Sequence, residues 1–484
     1  MPCCPALQSK RAEAKHRVGG TIIESQSFDL VILGGGPGGY GAALYGASAG
    51  LNIAMVEQKR VGGTCLHQGC IPAKALLQTA DVLRTVSGAA EFGVVASATP
   101  TLDLATMQAR KHGVIDRLTK GLEGLLRRRT VTVLNGHGKL ASPNSVELDD
   151  GTVINADNVI LASGSTPRTI PGFNFDGQRI LSSDHVLELG QVPGRAVIIG
   201  GGAIGCEFAS FLVDAGAEVT LLEAAPTILP GVDADVAKVV QRALTKRGVK
   251  VETGVKVTGQ RPAVGGVSIQ YEGAKKNQTL DADICVVSVG RQPRSEGIGY
   301  AENGVSIDSR GFVEVDGRMR TSVPGIYAIG DLTATPQLAH VAFAEAIVAI
   351  KDILNEEPAP VDYAKVPWGI YCHPEVGFCG MTEAAAKEAG YDVIVSKHQF
   401  AGNGRAMIMG ETDGMVKLIA EKGGPLLGIH VVGPYATELV TEGYLAVNWE
   451  ATPADMGALI HAHPTLGELI GETALSLTGR SLHG

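Results

Sequence analysis

The sequence predicts an α/β chain in which one parallel-sheet domain is built twice, followed by a separate α+β portion. Three observations carry this. A short apolar run, a glycine-rich turn, a small-residue helix and a second apolar run occur twice, with the last turn glycines, Gly39 and Gly205, 166 residues apart. In both copies an acid, Glu57 or Glu223, stands 18 residues after that glycine. The final stretch, roughly 120 residues, mixes strand-like runs with helices and lacks the pattern, as a distinct layered domain would.

Length and composition agree. At roughly 150 residues per domain, 484 residues suggest three or four domains. Hydrophobic residues are 45% and charged residues 19%, ordinary for a globular chain and unlike a disordered or collagen-like one. Glycine, at 64 residues, is well above its usual share of about 7%. The formal charge of −9, with no long basic run, argues against nucleic acid as a partner. No run of about 18 apolar residues predicts a membrane span. The eight cysteines (3, 4, 65, 70, 206, 285, 372, 379) are too sparse for a disulfide framework. The first 27 residues read as a mobile polar arm without the apolar core of a secretory signal, so a reducing, cytoplasmic setting is expected.

In chain order, the run Asp29-Leu-Val-Ile-Leu33 has the length of a buried parallel strand. It leads into Gly34-Gly-Gly36-Pro-Gly-Gly39, a helix from Tyr40 to Gly50, and the strand Asn52 to Val56. Strands are expected at 131–134, 152–154 and 158–161, the last ending at Ala162-Ser-Gly164. The second copy runs through Ala196-Val-Ile-Ile199, Gly200-Gly-Gly202-Ala-Ile-Gly205 and Glu218 to Leu222. A strand over 282–289 ends at Gly290, another at Gly330-Asp331, and three more are expected at 393–396, 414–420 and 427–432. Paired GxGxxG turns between strand and helix predict two Rossmann-like dinucleotide-binding domains. The glycines let backbone approach a pyrophosphate, and the helix N-terminus supplies positive dipole. Glu57 and Glu223 would accept from ribose hydroxyls. Nothing from 224 to 230 is basic, so the second site suits NAD rather than NADP.

The sharpest feature is Gly62-Gly-Thr-Cys65-Leu-His-Gln-Gly-Cys70-Ile-Pro72-Ala-Lys74. Pro72 suits a first helical turn, which puts Cys70 at a helix N-terminus where a thiolate is stabilised. Cys65 projects just outside that helix. A disulfide between the two would be reducible. No second cysteine or histidine pair lies nearby, so no metal site is expected. His461-Ala-His463-Pro-Thr-Leu-Gly-Glu468 admits two readings. One is a capping box with Thr465 as N-cap and Glu468 at the third helical position. In the other, His463 is an acid–base oriented by Glu468.

These motifs resemble the flavin-dependent pyridine nucleotide–disulfide oxidoreductases, from about residue 28 to the end, and among them the members that oxidise dihydrolipoyl groups. The resemblance implies FAD on Gly34, Gly36, Gly39 and Glu57, with Asp331 at its ribitol or phosphate region and Gly164 and Gly290 also at the cofactors. It implies NAD on Gly200, Gly202, Gly205 and Glu223. Cys65 is similar to the family's interchange thiol and Cys70 to its flavin-facing thiol. Lys74 and Glu207 resemble its ion pair beside the flavin, and His463 and Glu468 its base and orienting acid, acting across a homodimer. The implied domains are FAD-binding at 28–165 and 290–361, NAD-binding at 166–289, and a C-terminal α+β dimerisation domain at 362–484. The implied partners are dihydrolipoyl groups on acyltransferase subunits or on a glycine cleavage carrier protein. His67-Gln68, Ala73 and Ser163 depart from the family's usual residues, and none of them is a reacting group. Without cysteines after Cys379, the chain lacks the C-terminal pair of mercuric reductases and large thioredoxin reductases.

Overall fold

The computed structural model describes residues 27–95, 98–273 and 277–483. The polar arm, apart from Ser27, and the vicinal Cys3-Cys4 lie outside the described residues. By contacts the chain divides into two units: 1–63, 121–164 and 293–360 form one, and 64–120, 165–292 and 361–484 form the other.

The first unit is built on a mixed sheet. Ser27–Leu33 lies parallel to Ile53–Glu57 on one side and Val153–Leu161 on the other. Thr132–Asn135 and Ile326–Ala328 extend the parallel part, and Gly138–Ser142 and Ser145–Leu148 add an antiparallel edge. Leu30, Val31 and Ile32 are all fully buried, because a parallel strand is covered on both faces. The helix Pro37–Ser48 begins in the glycine turn itself, three residues before the expected Tyr40. Its small residues are there for contact: a Cβ at Gly41 would stand 2.9 Å from Phe343, and one at Gly46 3.1 Å from Ile350. Part of the glycine surplus is thus close packing against the helix Ala339–Ile353.

The strands expected at 152–154 and 158–161 are one, Val153–Leu161. Its polar middle, Asn155 to Asn158, conceals the continuity. Its start pairs antiparallel with Ser145–Leu148 and the remainder parallel with the first strand, so no single hydrophobic period runs through it. Conversely, the run 282–289 divides at Asp283. Ala282 ends the strand Asn277–Ala282, and Ile284–Val287 belongs to a different sheet. The break is fixed by the Asp283 carboxylate, which accepts the Arg195 N–H at 2.9 Å.

The second unit holds two five-stranded sheets. One is parallel, in the order Lys250–Thr253, Glu218–Glu223, Arg195–Ile199, Ile284–Val287, Ile180–Leu181. The other is antiparallel, in the order Trp368–Ile370, Glu375–Gly380, Leu426–Gly433, Met415–Glu421, Val393–Gln399. Helices Ala436–Asn448 and Glu468–Leu477 cover the antiparallel sheet, burying Val440, Leu469 and Ile470 with Ile429 and Val431. The helix Cys70–Ser87 packs on Ala203–Asp214 through a core that includes Ala73, Leu76, Ala80, Phe208 and Leu212. Among the described residues no helix is long and apolar enough to cross a membrane.

Candidate active site

The cysteine motif folds as two helices joined at a glycine. Cys65 lies on the short helix Gly63–Gln68, so the segment between the cysteines is not an open loop. Gly69 follows in a backbone geometry in which a Cβ would stand 3.0 Å from the Thr64 carbonyl. Cys70 then opens the 18-residue helix Cys70–Ser87, with Pro72 in its first turn. Both cysteines are free thiols and half-buried. The Cys65 S–H donates to the Cys70 sulfur, and this, with the Lys74 ammonium, outweighs burial and lowers Cys70 to about 7. The same hydrogen bond, then burial, pushes Cys65 far above the ordinary thiol range. Cys70 therefore ionises first, where the helix dipole also favours the anion.

Lys74 stands one turn along the same helix. Its Nζ bonds both Glu207 oxygens, at 2.9 and 3.0 Å. Burial alone would lower its pKa; Glu207, by charge and hydrogen bond, and then Cys70 raise it above the ordinary value. Glu207 is 6% exposed and also accepts the Tyr371 N–H at 2.9 Å, so this is no solvated surface pair.

The two glycine turns repeat one construction. Gly34 and Gly200 have φ of +112° and +104°. A Cβ at Gly39 would lie 1.8 Å from the Gly34 carbonyl oxygen, and one at Gly205 1.9 Å from that of Gly200. Gly36 and Gly202 are the N-caps of helices Pro37–Ser48 and Ala203–Asp214, neither with a side-chain cap, which leaves the first N–H groups open to an anion. Glu57 accepts the Gly35 N–H at 2.8 Å and the Lys59 N–H at 2.8 Å. Glu223 accepts those of Gly201 at 2.5 Å and Ala225 at 2.7 Å. Each carboxylate is anchored to its turn with lone pairs left for a ribose hydroxyl. The two cradles fit two dinucleotides. Gly164 and Gly290 both take left-handed backbone, at φ +72° and +101°. Asp331 sits on the turn Gly330–Leu332, held by the fully buried Glu345, which accepts the Gly330 N–H at 2.6 Å.

At the C-terminal loop the structure combines the two sequence readings and corrects one. The last long helix starts at Glu468 with Gly467 as N-cap, so Thr465 is not the cap. The Thr465 hydroxyl donates instead to the Ala462 carbonyl at 2.7 Å. Half of the box survives, because Glu468 Oε2 accepts the Thr465 N–H at 2.7 Å. Its other oxygen bonds His463 Nδ1, also at 2.7 Å. Burial would raise the Glu468 carboxyl, but the Thr465 N–H and His463 hold it below the ordinary value. An imidazole giving its Nδ1–H to that carboxylate presents Nε2 as a base, and the His463 side chain is 80% exposed.

Sequence reasoning missed what supports these groups. Asn403 Nδ2 donates to the Thr465 carbonyl at 3.0 Å, and His461 Nε2 meets Glu442 Oε1 at 2.8 Å. Only His461 lay within a quoted motif. Asn403, Glu442, Glu345 and Tyr371 each meet their partners through the fold, and local spacing holds no sign of them.

Comparison with known proteins agrees with this geometry. Residues 28–346 match the pyridine nucleotide-disulphide oxidoreductase model, and 366–474 the dimerisation domain of the same family. A dihydrolipoyl dehydrogenase of Bacillus subtilis is 41% identical over 471 residues, covering 94% of this chain and 99% of that protein. The mitochondrial dihydrolipoyl dehydrogenase of Pisum sativum is 38% identical, covering 95% and 93%. The crystal structure of LpdA from Mycobacterium tuberculosis is similar at TM-score 0.86 and 26% identity, covering 93% of this chain and 99% of that one. The HOCl-induced flavoprotein disulfide reductase RclA of Escherichia coli is similar at TM-score 0.82 and 26% identity, covering 92% and 99%. The cofactors are FAD and NAD, and the two cradles fit them. The chain is an oxidoreductase and belongs to the pyridine nucleotide–disulphide oxidoreductase family.

Proposed function

We propose that the chain oxidises protein-bound dihydrolipoyl groups to lipoyl groups and reduces NAD+ to NADH, with Cys65 and Cys70 as its redox disulfide. The observation that carries this is the asymmetric thiol pair, Cys65 donating to Cys70 beside the Lys74–Glu207 ion pair. His463, held by Glu468, takes a proton from one dihydrolipoyl thiol. The resulting thiolate attacks Cys65 of the oxidised enzyme, and the bond between Cys65 and Cys70 breaks. The second substrate thiol displaces Cys65 and closes the lipoyl disulfide, and its proton passes to the departing Cys65 sulfur. The enzyme is left with a Cys65 thiol and a Cys70 thiolate, two electrons richer. Lys74 balances the Cys70 charge. FAD, when bound, supplies the two-electron carrier between this dithiol and NAD+. Gly34, Gly36, Gly39, Glu57, Gly164 and Asp331 would hold FAD; Gly200, Gly202, Gly205, Glu223 and Gly290 would hold NAD.

The working form is a homodimer in which His463 serves the disulfide of a second subunit, supported by the match to a dimerisation domain and by the exposure of His463. The partners are lipoyl-bearing acyltransferase subunits or a glycine cleavage carrier protein, in the cytoplasm. The domains follow as 28–165 with 290–361 for FAD, 166–289 for NAD and 362–484 for dimerisation. A substrate panel tests the reading. Dihydrolipoamide with NAD+ should turn over far faster than glutathione disulfide or mercuric ion with NADH or NADPH. Preference for either of the latter would overturn it.

A further inference from the structure

The segment after the strand Trp368–Ile370 runs beside the Lys74–Glu207 pair, and Tyr371 meets that pair twice. Its backbone N–H donates to Glu207 Oε1 at 2.9 Å, the oxygen that Lys74 bonds at 2.9 Å. Its ring centre lies 4.7 Å from the Lys74 ammonium, inside the range where a cation is attracted to an aromatic face. The segment cannot drift. Two residues on, the His373 N–H donates to Ser210 Oγ at 3.0 Å, and Ser210 belongs to the helix that carries Glu207. Between them Cys372 is buried.

The lysine stem is flexible and its ammonium strongly hydrated, so a carboxylate alone fixes it poorly. Where that ammonium sits matters, because the charges around Cys70 oppose one another. Lys74 favours the thiolate, Glu207 disfavours it, and Cys65 donates to it. We propose that Tyr371 is a positioning residue of the redox centre: its ring covers one face of the Lys74 ammonium while its backbone holds Glu207, which keeps the positive charge beside the Cys70 sulfur. This deepens the disulfide-exchange reading above and rests on it. The groups involved are Cys65 from the short helix, Lys74 from the helix of Cys70, Glu207 from Ala203–Asp214, and Tyr371 itself.

The test is the pH dependence of Cys70 alkylation by iodoacetamide in the FAD-loaded, dithiol-reduced enzyme, located by mass spectrometry. Tyr371→Phe keeps the ring and should titrate like the wild type. Tyr371→Leu and Tyr371→Met keep the backbone N–H and lose the ring. Both should raise the midpoint by up to about half a pH unit, the most that losing a cation–π contact at Lys74 passes on to Cys70. A wild-type midpoint in both aliphatic variants, or an equal rise in Tyr371→Phe, would overturn the proposal. The readout needs no turnover. Failure of dihydrolipoamide as a substrate would sink the functional reading and leave this test standing.

Discussion

Cys70 and Lys74 lie one helical turn apart, so sulfur and ammonium share a face of their helix. With Cys70 lowered to about 7, its thiolate predominates above that pH. Lys74→Met should move the midpoint of Cys70 alkylation up toward the ordinary thiol value of about 8.5, and an unmoved midpoint would show that the ammonium has no such role. At the other group, His463→Gln should lower kcat/KM for dihydrolipoamide by about a hundred- to ten-thousandfold, the usual yield of general acid–base catalysis. Glu468→Gln should lose less, since the amide can still orient Nδ1, and steady-state rates would rank the two. These candidate residues were legible because each sits in a compact motif whose spacing is local: the cysteines stand five positions apart, and so do His463 and Glu468. Tyr371 and Asn403 were not, because their partners lie 164 and 62 residues away in the chain.

The same contrast holds among the secondary-structure elements. The glycine turns announced themselves because only glycine tolerates their geometry. A Cβ at Gly39 would need to stand 1.8 Å from a carbonyl oxygen, so Gly39→Ala should yield protein without bound flavin, read as loss of flavin absorbance after desalting. The anchor of the helix Ala234–Lys246 gave no such sign. Its N-cap Asp233 and neighbour Asp235 both bond Lys417, a lysine 2% exposed on the strand Met415–Glu421, and Glu383 makes a third carboxylate at 2.8 Å. Nothing local foretells a lysine inside an apolar strand paired with acids far away in sequence. Lys417, with Lys397, holds Asp235 at about 2, and Lys387, then Lys417, hold Glu383 there, below ordinary carboxylates. Their folded-state values are depressed. Their contribution to stability is therefore complete above the unfolded-state values near 4 and is lost as pH falls toward 2. Lys417→Met leaves the buried Asp233 carboxylate without its cation, while Asp235 keeps Lys397 and Glu383 keeps Lys387. It should cost about 3–5 kcal/mol at neutral pH and flatten the fall of the unfolding midpoint between pH 5 and 2. A wild-type acid profile in thermal melts would contradict this.

For the molecule as a whole, the domain classes were readable because two copies of one pattern and a third region of different texture differ over hundreds of residues. What covers the surface was less readable. Ile460 is 99% exposed, Trp449 76% and Leu459 57%, all within the stretch that matches the dimerisation domain. Isolated exposed apolar residues are common, but Leu459 and Ile460, directly before the His461–Glu468 segment, fit a surface closed by a second copy. Ile460→Asp should shift sedimentation toward monomer and abolish lipoyl oxidation, yet leave reduction of the Cys65–Cys70 disulfide by NADH intact. A stable dimer with full activity would refute that interface. The proposed relay requires both sulfurs, Cys65 to exchange with substrate and Cys70 to carry the electrons onward. The direct measurement is NAD+ reduction by dihydrolipoamide, followed at 340 nm, in Cys70→Ser protein that retains its FAD. The relay predicts a rate at background, and turnover at the wild-type rate would contradict it.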